Sequence, residues 1–326
     1  MSIPAIEAHE ASWRAREVPE PAQVVPGVWA VPIPLNGHAL RSITVFLAET
    51  RDGPVLIDAG YAHPSCWTAF QASLAVIGHR VETIRAVLLT HNHPDHVGFA
   101  DRVRAASGAT IAMGRADDFA RVAAERGGFL EQLRRSLDLT GAPAAVTDAM
   151  YTEALTVAKH REDLQLDVEL HGEQELTFGD VTIRAVPAPG HTYGHTVFLD
   201  SRGVLFTGDT MMAEGPTQLA IVSRPDDDPA GDLLATLTRI GTLGAAVACP
   251  AHQFPYEDVA GRAAQLRAFH AAEVDQVRAL AGPDTTAWTI APHLTWKKPW
   301  DELGPGTRRF ALMHTLALLR HMHGER

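Results

Sequence analysis

Short apolar runs of strand length alternate along most of the chain with segments that have helical spacing. The strand-like runs include GVWAVPI, SITVFLAE, PVLIDAG ending just past Asp58, IRAVLLT running into His91, and later VTIRAVPA, HTVFLD and GVLFTGD. Apolar residues recur on one helical face in residues 64–79, 229–243 and about 257–281. Strands that alternate with helices favour a layered α/β architecture, with sheets inside and helices outside.

The rhythm changes between residues 115 and 160. Most residues there are helix formers, and apolar positions such as Phe129, Leu133 and Leu137 recur at helical spacing. We therefore predict a helical insertion over about 115–160. Its apolar stripes must be buried, either against the body of the protein or as a lid over the functional site, and the sequence leaves both alternatives open.

Composition narrows the class of protein. The 326 residues are 46% hydrophobic and 21% charged, as in ordinary globular proteins. The net charge is −11 and lysine occurs only at positions 159, 297 and 298, which argues against a nucleic acid partner. The N-terminus lacks the pattern of a secretory signal, and no segment approaches the roughly 20 apolar residues that span a bilayer. We expect a cytoplasmic monomer or homodimer that acts on a small molecule and has no membrane association.

Potential metal ligands follow the end of the strand IRAVLLT. The motif THNHPDH places His91, His93, Asp95 and His96 there. Because side chains two residues apart in extended chain point the same way, His91 and His93 can bind one ion together. Pro94 cannot continue a strand and turns the chain, which directs Asp95 and His96 toward a second ion.

Three further strand ends carry candidate ligands. PAPGH presents His191, VLFTGDT presents Asp209 and ACPAH presents His252. Imidazole and carboxylate ligands suit zinc, with manganese, iron and cobalt as alternatives. The sequence therefore predicts a centre of two Zn²⁺ ions. The predicted metal ligands are His91, His93, Asp95, His96, His191, Asp209 and His252.

The ordered series LIDAG, THNHPDH, APGH, FTGDT and PAH resembles the signature of the metallo-β-lactamase fold superfamily over residues 25–255. This resemblance implies an α/β fold of the αββα sandwich type, with a dinuclear site along one sheet edge. It also implies that Asp209 bridges the two ions. The ligands it implies are His91, His93 and His191 for the first ion, and Asp95, His96 and His252 for the second.

The end of the chain is similar to a narrower branch of that superfamily. EDVAGRAAQLRAFHAAEV, TTAWTIAPHLTW and RRFALMHTLALLRHMHGER resemble the branch that contains lactamase-β-like protein 2 and glyoxalase II-like hydrolases, in which a long helix leads to a small winged-helix-like region. The chain stops at Arg326, where the wing would follow. We expect a catalytic domain over residues 1–256 and a truncated, helical C-terminal region over 257–326.

A bridging aspartate at position 209 resembles the one found in thioesterases, lactonases and nucleases of the superfamily. The antibiotic-degrading lactamases lack this aspartate. The expected reaction is attack of a hydroxide held by the two ions on a thioester or lactone carbonyl of a small molecule. Asp209 would fix the ion spacing and Asp95 would accept the water proton. The alternatives are a phosphodiesterase or endoribonuclease of the same fold, and an iron-dependent sulfur dioxygenase.

Four residues near the ligands are expected to support the site. The resemblance implies that Asp58 supports the ligands without binding an ion. His195 is expected to support the scaffold of the site, with a hydrogen bond to a ligand carboxylate or to the substrate as the alternative. Tyr193 and Met211 either line the substrate pocket or pack in the core.

Overall fold

The computed structural model describes residues 3–35, 40–157 and 163–324. Its first sheet has seven strands in the order in which they occur along the chain. These strands are β1 (Ala22–Val25), β2 (Val28–Pro34), β3 (Ser42–Ala48), β4 (Val55–Ile57), β5 (Ala86–Leu89), β6 (Thr110–Gly114) and β7 (Val168–Leu170). Strands β1 to β4 pair antiparallel, and β4 to β7 pair parallel.

The second sheet has five strands. These are β8 (Gln174–Phe178), β9 (Val181–Pro187), β10 (Thr196–Asp200), β11 (Val204–Gly208) and β12 (Val247–Pro250). Their spatial order is β12-β11-β10-β9-β8, and only β11 and β12 pair parallel.

Helices cover the outer faces of both sheets. The helices are α1 (Pro4–Ala15), α2 (Pro64–Val76), α3 (Pro94–Val97), α4 (Ala100–Ser107), α5 (Phe119–Arg126), α6 (Phe129–Leu139), α7 (Ala144–Val157), α8 (Pro229–Ile240), α9 (Val259–Leu280), α10 (Ala287–Ile290) and α11 (Pro305–Gly324). None of the described helices is both long enough and apolar enough to cross a bilayer.

The two sheets face each other across a shared hydrophobic core. Phe46 of β3 and Phe206 of β11 meet there with ring centroids 5.4 Å apart. The outer face of the first sheet packs against α2 and α4 through Phe70 and Val103. The outer face of the second sheet packs against α8, α9 and α11. The predicted αββα sandwich is therefore confirmed.

Parallel strand pairs bring the polar strand ends to one edge of the sandwich. Ile57 at the end of β4 pairs with Leu88 of β5, so Asp58 lies beside the segment that leads to His91. Gly208 at the end of β11 pairs with Pro250 at the end of β12. Because the carboxyl ends of parallel strands point the same way, residues that follow these strands emerge side by side.

The predicted insertion contains α5, α6 and α7, and its last residues, 158–160, lie outside the described residues. Most of the apolar stripe of α6 and part of that of α7 are buried against the end of the chain, whereas Phe129 at the start of α6 is 38% exposed. Leu133, Leu137 and Met150 form one hydrophobic cluster with Leu312 and Met313 of α11. These two helices therefore use their stripes for packing against the body of the protein.

Beyond β12, the regular elements in the described part of the chain are helices, as expected for the C-terminal region. Helix α11 contributes Leu316 and Leu319 to the core under the second sheet, together with Leu266 of α9. The proposed division of the chain at residue 256 stays a prediction.

The N-terminal helix α1 was not predicted. It begins with Pro4 in its first turn, a favourable position for proline. Ile6 packs against the core between the sheets, and Trp13 meets Phe254 edge-to-face at 5.6 Å. Its position thus depends on tertiary contacts that the local pattern does not contain.

Neighbouring leucines of α6 give a test of this packing. Leu137 is fully buried, whereas Leu139 is 44% exposed. We expect Leu137→Ala to lower the free energy of unfolding by about 2–5 kcal/mol, because it leaves a cavity between α6 and α11. Leu139→Ala should change it by less than about 0.5 kcal/mol. Urea denaturation followed by circular dichroism measures both, and equal effects would contradict the observed packing.

Candidate metal centre

Local backbone geometry turns the predicted ligands toward one another. Pro94 is at the start of α3, so this short helix carries Asp95 in its first turn and His96 in its last. Before His191, Gly190 has φ +133°, and a Cβ there would lie 2.7 Å from the Leu233 Cβ. Only glycine tolerates this turn and the close approach of α8.

All the predicted ligands come together, in two adjacent groups. The first group is His91, His93, His191 and Asp209, and the second is Asp95, His96 and His252. In the first group, His93 Nδ1 lies 2.9 Å from His91 Nε2 and 3.0 Å from His191 Nε2. In the second, His252 Nε2 lies 3.3 Å from Asp95 Oδ2.

The Asp209 carboxylate lies between the two groups. Its Oδ2 is 3.6 Å from His191 Nε2 in the first group. Its Oδ1 is 3.5 Å from His96 Nε2 and 3.6 Å from His252 Nε2 in the second. Each oxygen thus faces a different group, which is the geometry that a bridging carboxylate requires.

Unpaired buried atoms indicate that the residues fit a metal centre. His96 Nε2, His252 Nε2 and Asp209 Oδ1 are buried and have no hydrogen-bond partner within the described residues. A buried polar atom without a partner is costly, and a divalent ion would satisfy all three at once. Imidazole nitrogens and carboxylate oxygens are the donors that zinc-type ions take.

The opposite ring nitrogens are held by oxygen acceptors. The Nδ1–H groups of His96, His191 and His252 donate to Asp58 Oδ2 at 2.8 Å, Gln218 O at 2.7 Å and Ser42 O at 2.9 Å. These bonds leave the lone pair on Nε2 and aim it at the centre.

The electrostatics of the site also favour a cation. Burial and the adjacent His191 lower the pKa of His93 to about 3, which keeps that ring in the neutral form that binds metals. Burial acts to lower the pKa of His96, but the facing carboxylates of Asp58, Asp209 and Asp95 raise it above its usual value. These carboxylates therefore stabilise positive charge at this position, and a bound ion would supply that charge.

The expected supporting residues lie where they can act on the ligands. Asp58, with a left-handed φ of +62°, accepts hydrogen bonds from His96 and from the Thr90 backbone N–H. His195 stacks on His91 with ring centroids 4.8 Å apart, and its Nε2 accepts the Asp209 N–H at 3.3 Å. Both residues contact ligands and hold them in place.

Tyr193 and Met211 differ in their surroundings. The Tyr193 hydroxyl donates to the Ile221 carbonyl at 3.0 Å, and the Arg126 guanidinium lies 4.0 Å from the centre of its ring. Met211 is fully buried in the hydrophobic core under the second sheet. Of the two roles expected for Met211, packing is therefore the one that its position supports.

Asp117, directly after β6, is a supporting residue that the sequence reasoning missed. It is buried, and burial raises its pKa to about 6 despite several hydrogen bonds. Its carboxylate accepts from Thr192 Oγ1 at 2.6 Å, Gly194 N at 2.8 Å and Asn92 N at 3.3 Å. Asn92 lies between two ligands, and Thr192 follows a third. The only sequence signal was one more aspartate near a strand end.

Comparison with known proteins agrees with this geometry. The profile of the Metallo-beta-lactamase superfamily matches residues 39–252, a range that contains all the candidate ligands. The chain belongs to the metallo-β-lactamase superfamily. The predicted membership is therefore confirmed. The superfamily is hydrolytic and binds divalent metal ions.

One relative of the chain is the lactamase-like protein adaB of Aspergillus niger. The two proteins are 26% identical over 249 residues, which cover 74% of this chain and 60% of adaB. A hydroxyacylglutathione hydrolase of Cereibacter sphaeroides is 28% identical over 179 residues, covering 54% of each. The chain thus spans 60% and 54% of the lengths of these two relatives. The second is a glyoxalase II-like relative, as the sequence predicted.

A solved structure extends the likeness to nearly the whole chain. A metallo-beta-lactamase family protein from Thermus thermophilus superimposes with a TM-score of 0.75 at 26% identity, covering 93% of this chain and 95% of that one. The likeness to this protein therefore extends well beyond residues 39–252, the range that the superfamily profile matches.

Asp117 and its neighbour give a matched test of support for the centre. Asp117→Asn replaces an acceptor oxygen with an amide that cannot accept from both Thr192 and Gly194. We expect the affinity for zinc to fall about 10-fold, as for other groups that orient ligands. Competition with a chromophoric chelator measures this affinity. The control is Asp118→Asn, since Asp118 caps α5 and asparagine caps equally well. Equal affinities in the two variants would contradict the role of Asp117.

Proposed function

We propose that the chain is a zinc-dependent hydrolase with two metal ions that cleaves a thioester or lactone in a small molecule. The observation that carries the proposal is the Asp209 carboxylate, which presents one oxygen to each of two groups of ligands. A pair of ions a few ångström apart needs such a bridge to offset the repulsion between the two cations.

The roles of the residues follow from their positions. His91, His93 and His191 would hold one ion, and Asp95, His96 and His252 the other, with Asp209 between them. When bound, the ions lower the pKa of a water molecule and polarise the carbonyl oxygen of the substrate. Asp95 is 18% exposed at its side chain, more than Asp209 at 10%, so it is the carboxylate better placed to meet a water molecule.

Asp95 completes the proton balance of the reaction. It accepts a proton from the water whose oxygen adds to the acyl carbon. The acyl bond to sulfur or oxygen then breaks, and the leaving thiolate or alkoxide takes up that proton. The proposed reaction therefore needs no serine or cysteine nucleophile.

Two observations support an acyl substrate over a polyanion. The chain carries a net charge of −11, which repels nucleic acids over long range. Its relatives include a hydroxyacylglutathione hydrolase, whose name describes cleavage of an acyl group from a thiol carrier. The cytoplasmic location and a monomeric or homodimeric state stay predictions.

Metal analysis and a substrate panel test the proposed function together. We expect close to two zinc ions per purified chain, and hydrolysis of thioesters or lactones that stops on chelation and returns with zinc. Phosphodiesters serve as the contrasting substrate class. One iron with negligible zinc would favour the dioxygenase alternative, and hydrolysis of phosphodiesters alone would overturn the acyl assignment.

Removal of the bridging carboxylate tests the arrangement of the ions. In Asp209→Ala the two cations would face each other without the shared negative charge, so we expect one ion to be lost and turnover to fall at least about 100-fold. Metal content and kcat are the measurements. Asp226→Ala, at an aspartate with a 74% exposed side chain, is the control. Retention of both ions and of full activity in Asp209→Ala would contradict the proposal.

A further inference from the structure

A second buried cluster of ionisable groups lies in the C-terminal helices, away from the metal centre. It consists of His270 and Glu273 on α9 and His314 on α11, which we call the His–Glu–His triad. His270 Nδ1 lies 2.8 Å from Glu273 Oε2, and His314 Nε2 lies 3.1 Å from both carboxylate oxygens. The two imidazoles are nearly buried, with side-chain exposures of 2% and 7%.

A backbone donor fixes the protons of this triad. The Thr217 N–H donates to His270 Nε2 at 3.3 Å, so that nitrogen carries the lone pair. His270 therefore bears its proton on Nδ1 and donates it to Glu273. Burial acts to raise the pKa of Glu273, but the hydrogen bonds from His270 and His314 lower it to about 2. The carboxylate thus remains ionised between two donors.

The same atoms lie close enough together to suggest a metal site, but their hydrogen bonding argues against one. A metal ion on His270 Nδ1 would need a lone pair there while Nε2 accepts from Thr217, which a neutral imidazole does not offer. In addition, the facing atoms of the triad all have hydrogen-bond partners. At the metal centre, by contrast, His96 Nε2 and His252 Nε2 have none within the described residues.

Thr217 connects the triad to the metal centre. Its hydroxyl donates to the Thr210 carbonyl at 2.6 Å, and Thr210 directly follows Asp209. The next residue along the chain, Gln218, offers the carbonyl that accepts the His191 Nδ1–H at 2.7 Å. The segment 210–218 is therefore linked to the C-terminal helices at Thr217. Gln218, the residue after Thr217, is the one that accepts the hydrogen bond from the candidate ligand His191.

We propose that the His–Glu–His triad positions residues 210–218, through Thr217, so that Gln218 orients His191 and the chain after Asp209 stays fixed. The C-terminal helices then raise the zinc affinity of the centre without contacting an ion. The triad residues are positioning residues. This inference rests on the proposed metal centre and is independent of the acyl substrate.

Glu273→Gln is the decisive variant, because an amide has only one acceptor oxygen for the two imidazole donors. We expect the zinc affinity, measured by chelator competition, to fall about 10-fold, at the lower end of the effect of groups that orient ligands. The Co²⁺-substituted protein should show a changed visible spectrum, since His191 would shift. Asp275→Asn, on the same helix at a side chain with 72% exposure, should leave both readouts unchanged.

A second control separates positioning from stability. Leu137→Ala destabilises the fold next to α11 but leaves the triad intact, so its folded form should bind zinc as the parent does. If Glu273→Gln does not fold, His314→Gln replaces it; its amide still donates to Glu273, and we expect a smaller loss of affinity in the same direction.

Three outcomes would overturn the inference. One is a Glu273→Gln variant that is less stable but binds zinc with the parent affinity, which means a purely structural role. Another is a parent protein with a third zinc ion that the variant lacks, which makes the triad a metal site. A parent protein that binds no zinc overturns the metal centre itself, and the triad proposal with it.

Discussion

A set of buried polar atoms of the candidate ligands, which face one another without hydrogen-bond partners, is the constraint on which the rest of the structure depends. Within the described residues, His96 Nε2, His252 Nε2 and Asp209 Oδ1 all lie in this condition. Such atoms would be costly in a protein that left them unsatisfied. The surrounding residues orient these atoms, because the other nitrogen of each ring is hydrogen bonded. Asp58, which has a left-handed backbone conformation, accepts the hydrogen bond from His96. The fold is thus prepared for a cation, and its stability near the centre is expected to depend on one.

Segments that lie outside the sandwich support this centre from different sides. Asp117, at the start of the helical insertion, joins the segment between His91 and His93 to the segment after His191. The C-terminal helices approach from the other direction through Thr217. Each contact fixes a short loop that would otherwise move independently of the strands. The helical additions therefore contribute to the geometry of the candidate ligands as well as to hydrophobic packing. Helix α11 packs both in the core under the second sheet and in the separate cluster with α6 and α7.

The sequence predicted the strands, the fold and the side chains that come together as candidate ligands because each depends on a local pattern. A buried strand is an apolar run, and a ligand such as His91 or Asp209 follows directly after one. Asp117 and Glu273 could not be recognised in the same way, since neither sits in a motif and the partners Thr192 of Asp117 and His314 of Glu273 are 75 and 41 residues away along the chain. Helix α1 was missed for a related reason, because its few apolar residues gain partners such as Phe254 only in the folded chain. The stripe of α6 was recognised, but an apolar stripe does not reveal which surface will cover it.

The covering surface also bears on how a substrate approaches. Helices α6 and α7 pack their buried apolar residues against α11. Helix α5 of the insertion contacts the loops beside the candidate metal centre. Arg126 at the end of α5 forms an ion pair with Asp227 at 2.6 Å and lies over the ring of Tyr193, two residues after His191. One guanidinium nitrogen of Arg126 donates to both carboxylate oxygens of Asp227, and a partly buried pair of this kind holds its elements in one arrangement more firmly than an exposed pair does. The insertion is thereby fastened beside the site at the end of α5, in addition to the contact of Asp117 with Thr192. Two such contacts favour a fixed brace beside the candidate ligands over a lid that opens and closes.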